Sequence, residues 1–141
     1  MQKMIIALSL LLFAQTESFA QCEKKLILTS SFTEYLNSNG ELERTEEEKS
    51  VIEINKSKIT ITPGSEENKM DGTITSDSCK WTIPFKEGKT IIKAIFSRNG
   101  QTLNSTITIE GKEGKVILLM EAVEMPDKKI RVVLDTFEEK K

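Results

Sequence analysis

The sequence contains no histidine. Histidine is the commonest general base and the commonest transition-metal ligand. Its absence excludes Ser-His-Asp triads, Cys-His pairs and His-bearing zinc sites. Only two cysteines are present, too few for a four-cysteine zinc site. Neither sign of charge dominates: 20 basic residues face 22 acidic ones. Nucleic-acid-binding surfaces usually need a basic excess, so no nucleic-acid partner is expected. Carboxylates show no EF-hand spacing, and no Ser-x-x-Lys motif of the known type occurs. These gaps point away from an enzyme and away from any cofactor or bound metal.

Aromatics are also scarce, at 6% of the chain, with a single tryptophan. That tryptophan shares the stretch Cys79-Lys80-Trp81-Thr82-Ile83 with the second cysteine. The other cysteine, Cys22, follows a segment with the three parts of an export signal. Lys3 supplies the positive start, Met4 to Ala14 the apolar run, and Ser18-Phe19-Ala20 the small residues that a signal peptidase reads. The apolar run is too short to span a bilayer, which takes ~20 residues. Cleavage before Gln21 is expected. Residues 1–20 are then a removed signal peptide, 21–141 a single domain, and the mature chain has no transmembrane segment. A lipoprotein acylated on Cys22 is disfavoured, because a lipobox wants a small residue where Gln21 stands. The ending Phe-Ala-Gln resembles signal peptides of Bacteroidetes-type bacteria, which implies a secreted or periplasmic protein. In that oxidising setting two cysteines most simply form one disulfide, Cys22–Cys79, against the plainer reading of two free buried thiols.

After residue 21 no stretch sustains helical periodicity. Short Thr-rich and β-branched runs recur, cut by Asn-Gly, Pro-Gly and other Gly pairs, which is an all-β pattern. The runs are 24–36, 41–54, 57–62, 70–83 with a break near Asp77, 89–97, 102–110, 115–124 and 129–137. Register tests the hairpins, because directly opposed residues share a face. A two-residue type I′ turn at Asn99-Gly100 sets Phe96 against Leu103, Ala94 against Ser105, Ile92 against Ile107 and Lys89 against Glu110. A turn at Lys112-Glu113 sets Ile109 against Val116 and Glu110 against Lys115. A turn at Asn55-Lys56 sets Ile52 against Ile59. Near Asp127 a three-residue loop sets Ala122 against Val132, so a bulge or longer turn is expected there. The first hairpin turns at Asn37-Ser38-Asn39-Gly40, and Pro63 to Asn68 is the longest polar break.

Consecutive pairing of eight strands gives an antiparallel meander. It closes into an up-and-down barrel, which removes exposed edges, or folds into a two-sheet sandwich. The barrel is preferred. Its inward set is Leu26, Leu28, Phe32, Ile52, Ile59, Ile74, Trp81, Ile83, Ile92, Phe96, Leu103, Ile107, Val116, Leu118, Met120 and Leu134. Within it Phe32, Trp81 and Phe96 are the candidate lining of a ligand cavity, against ordinary core packing. The rest of the set is aliphatic, so the ligand would be small and apolar.

Two other features stand out. Glu41, Glu43, Glu46, Glu47 and Glu48 crowd one segment, most simply as a solvated strand face. A second apolar stripe, Ile91, Ile95, Ile117, Leu119, Val123 and Val133, lies on the opposite face to the core and suggests a homodimer interface or a covering segment. Asn55-Lys56-Ser57 and Asn104-Ser105-Thr106 match the glycosylation pattern, which carries little weight in a bacterium.

The eight-run, signal-bearing layout over residues 22–137 resembles the small lipocalin-like proteins of the calycin class found in Bacteroidetes. The Gly-x-Trp motif that opens many lipocalins is missing, and Trp81 lies mid-chain instead. The resemblance implies a non-enzymatic barrel that binds a small apolar molecule. The alternative class is a structural or protein-interaction module, dimeric through the second stripe.

Overall fold

A computed structural model describes residues 24–141. The expected signal peptide, the cleavage point at Gln21 and Cys22 lie outside the described residues. The described residues form nine antiparallel strands: β1 Leu26–Leu36, β2 Leu42–Ile54, β3 Lys58–Pro63, β4 Met70–Ile83, β5 Glu87–Arg98, β6 Gln101–Lys112, β7 Lys115–Ala122, β8 Lys129–Val133 and β9 Thr136–Glu139. A one-turn 3-10 helix, Glu66–Asn68, sits in the long polar break. Sequential neighbours pair from β1 through β8, and β8 returns to β1. The result is a closed eight-strand up-and-down barrel, with β9 as an additional strand on β1. Closure leaves no pair of free edges running the length of the sheet.

The β5–β6 hairpin has the expected register throughout, from Arg98 against Gln101 to Lys89 against Glu110. Asn99 and Gly100 both have positive φ, 52° and 77°, as a type I′ turn requires. Three other registers differ. The β6–β7 turn is Glu113-Gly114, again with φ positive at both residues, so Ile109 meets Leu118 and Gly111 meets Val116. In β2–β3, Ile52 meets Ile61 and Ile54 meets Ile59. There the Asn55 carboxamide accepts from the backbone N–H groups of Ser57 and Lys58, which lengthens the turn. In β7–β8, Leu118 meets Val132 and Met120 meets Ile130 across a longer loop. Every slip is an even number of residues, so each strand keeps its inward face.

The run expected over 129–137 is two strands. β8 pairs with Glu34–Leu36 of β1, and β9 with Leu26–Thr29. The interruption lies opposite an irregularity in β1 between Ser30 and Phe32. There Lys49 and Glu48 of β2 stand against the single Ser31 of β1, and a bulge of this kind bends the pair and shifts the alternation of β1. Leu26, Leu28 and Ser30 are buried, and past the bulge Thr33 is buried at 4% while Phe32 is 53% exposed. The inward placement of Phe32 is therefore corrected. A second irregularity, between Trp81 and Ile83, leaves Ile83 45% exposed instead of inward. The break expected near Asp77 is a third, between Ile74 and Ser76, within a continuous β4.

The core otherwise follows the alternation. Leu26, Leu28, Ile52, Ile59, Trp81, Ile92, Phe96, Ile107 and Leu118 are buried, and Ile74, Leu103, Val116, Met120 and Leu134 pack against them. Ala94, Ile109 and Val132, which the hairpin registers set on the same face, are buried with them, and Ile54 and Ile61 join the core without having been named.

Candidate binding site

One end of the barrel is plugged. The Trp81 indole N–H donates to the Thr90 hydroxyl at 2.7 Å, inside the barrel. Its ring meets Phe137 of β9 edge-on, centroids 5.4 Å apart, and Phe85 packs edge-on against the same Phe137 at 5.0 Å. The indole also lies against backbone where two strands carry no side chain. A Cβ on Gly88 would come within 2.7 Å of the indole, and one on Gly111 within 2.9 Å. Cys79 shares this end: its sulfur is 3.3 Å from the same Thr90 hydroxyl.

The middle is filled by Phe96, Ile92, Ile107 and Ile109, all at most 2% exposed. At the other end a cleft of about 90 Å³ remains. Ile52, Ile61, Leu118, Met120 and Ile130 line its apolar part, and Thr33, Tyr35, Glu48 and Ser50 its rim. The Thr33 hydroxyl donates to Glu48 at 3.3 Å. Burial, and then the nearby Glu48 carboxylate, push the Tyr35 phenol up. This cleft is well below the ~300–1,000 Å³ of ordinary small-molecule pockets.

A larger concavity, about 620 Å³, lies on the outside of the wall. Its apolar floor is Leu36 of β1 with Ile117 and Leu119 of β7, beside Thr108 of β6. Leu36 opposes Lys129, an outward residue, yet is only 3% exposed; the wall is recessed here. Five cations surround the floor: Lys89, Lys112, Lys115, Lys129 and Arg131, with Glu110 the carboxylate among the lining residues. Three of the five are paired. Lys89 meets Glu110 at 3.2 Å, Lys129 meets Glu121 at 3.0 Å, and Arg131 grips both Glu34 oxygens at 3.2 and 3.0 Å.

The Arg131 hydrogen bonds hold the Glu34 carboxyl below its ordinary range, against the opposing effect of partial burial; the charges of Arg131 and Lys115 add to the lowering. A depressed folded-state pKa stabilises above the unfolded-state pKa and is lost as pH falls through the folded value. Glu34→Gln should therefore destabilise at pH 7, and the difference from wild type should narrow as the pH is lowered to 3. Urea unfolding at the two pH values checks this. An equal difference at both would show that the pair contributes no pH-linked stability.

The expected trio does not gather around either concavity. Phe32 is exposed, Trp81 plugs the closed end, and Phe96 is core. Cys79 points inward beside Trp81 and Thr90; Cys22 lies outside the described residues. Ile117 and Leu119 of the second apolar stripe do line the outer recess. Leu36, Lys129 and Arg131 were not singled out in the sequence, Lys112 only as a turn residue, and Lys89 and Lys115 only as register partners of Glu110. They come from five strands, and although hairpin register already linked Lys89 and Lys115 through Glu110, nothing in the spacing marks Leu36, Lys129 and Arg131 as their neighbours. Among the described residues no three His, Cys, Asp or Glu side chains group as metal ligands, and no helix is long and apolar enough to cross a membrane.

The fold defines a small closed antiparallel β-barrel protein, compatible with a calycin-like architecture. No family model, curated protein or solved structure matches the chain.

Proposed function

We propose that this chain is an exported, non-enzymatic, lipocalin-like barrel that binds a small ligand with an apolar body in the recess outside β6–β8. The observation that carries the reading is the contrast in volume: about 620 Å³ outside against about 90 Å³ inside. The outer value falls in the range of ordinary ligand sites. Export, with signal cleavage before Gln21 and a Cys22–Cys79 bond, belongs to the same proposal and rests on the signal-like residues 1–20.

Native mass spectrometry of protein exported and purified without detergent tests it. A small-molecule adduct that disappears in Ile117→Lys, with the far-UV spectrum retained, is the expected result. A bare wild-type monomer counts against it. The second reading is an interaction module that pairs with its own copy. Its support is the exposed apolar set Ile95, Val133 and Val123, the last 78% exposed. A bare dimer in the same experiment favours that reading.

A further inference from the structure

Resting on the outer-recess reading, we propose that the ligand is a free single-chain amphiphile with an anionic head, a carboxylate or phosphate, held between Lys112 and Lys115. These two lysines are directly opposed, the last pair of the β6–β7 hairpin before Glu113-Gly114. Like charges directly opposed destabilise a strand pair. No carboxylate stands between them on this rung, and Lys115 acts on the Glu34 carboxylate only through its charge, without an ion pair. Neither lysine forms an ion pair among the described residues, whereas the other three cations of the recess all do. An anion lying between the two ammonium groups would turn this repulsion into attraction on both sides. The apolar floor of Ile117, Leu119 and Leu36 lies beside them in the same concavity, suited to the tail. A recess takes in a detached amphiphile; a membrane surface would call for a protruding apolar edge.

The test is isothermal titration of the full exported chain with dodecanoate and with uncharged dodecan-1-ol, below the aggregation limit of each. The expected result is one site for dodecanoate, at least tenfold weaker binding of the alcohol, and at least tenfold loss of dodecanoate affinity in Lys112→Gln/Lys115→Gln. Added salt should weaken the dodecanoate complex only. The double variant should melt close to wild type, since the lysine–lysine repulsion it loses offsets the lost attraction of Lys115 for Glu34, and this separates lost binding from lost fold. Equal affinity for both probes, unchanged in the double variant, overturns the anionic-head inference and leaves the recess reading standing. Binding of neither probe overturns both. Dodecanoate binding that survives both Ile117→Lys and the double lysine variant also overturns both, because the ligand then sits elsewhere.

Discussion

Trp81→Ala is expected to cost about 3–5 kcal/mol, the usual range for deleting a large buried aromatic. Small domains have only about 5–15 kcal/mol in total, so the variant should be near the edge of folding at 37 °C. The size of the effect follows from the indole's position. It closes one end of the barrel, contacts Phe137 edge-on, and lies over strands bared at Gly88 and Gly111. Neighbours cannot collapse into the space, because the strands on either side are fixed by their ladders. Thr90→Val removes the partner of the buried indole N–H and should cost about 1–3 kcal/mol, the penalty for leaving such a donor unpaired. Gly111→Ala tests the same contact from the other side. The new Cβ would come within 2.4 Å of the Lys86 carbonyl oxygen, and overpacking of this kind typically costs about 1–3 kcal/mol. Urea unfolding followed by circular dichroism, which does not depend on the lost tryptophan, measures all three. A loss below about 1 kcal/mol for Trp81→Ala would put it under the range for a buried aromatic and show that the end plug does not hold the barrel closed.

Cys79→Ser is expected to lower stability by about 4 kcal/mol if Cys79 bonds Cys22, because that bond closes a loop of nearly sixty residues in the unfolded chain. The sulfur stands beside the Thr90 hydroxyl and the Trp81 indole at the plugged end, so the bond would tie the start of the mature chain to that plug. Reductant should lower the wild-type melting temperature as far as the substitution does, and should leave Cys79→Ser unmoved. Intact mass of the exported protein with and without alkylation gives an independent reading. Alkylation of both cysteines without prior reduction would remove the disulfide and, with it, much of the case for an oxidising compartment.

Both experiments address the closed end, which was half legible in the sequence. The stretch from Cys79 to Ile83 stood out because it combines the single tryptophan with a cysteine, and Trp81 is buried as its alternation implied. Its partners were not legible. Phe137 is 56 positions away and reaches the indole only because β9 returns to the near half of β1. Phe32 shows the opposite failure. The alternation Leu26, Leu28, Ser30 continues to Phe32 on paper, and one extra residue in the facing stretch of β2 shifts the register so that the ring turns outward. A bulge has no strong local signature in this sequence.

The hairpins separate the two kinds of information cleanly. Alternating apolar and polar residues determined which side of each strand faces the core, since a one-residue slip would expose the whole inward set. A slip of two costs no such exposure, and three hairpins settled on registers that the alternation could not distinguish. Turn chemistry chose among them where both central residues can take positive φ, at Asn99-Gly100 and at Glu113-Gly114. The sequence by itself thus determined an all-β chain with inward and outward faces, the strand order of a meander and most of the core. Tertiary structure alone decided barrel closure, the filled interior and the outer recess. Closure brings the end of β1 beside β8, and with it Leu36 and Glu34 beside Lys129 and Arg131, nearly a hundred positions apart. No local pattern encodes a contact at that separation, because it exists only once the sheet has curved round to meet its own first strand.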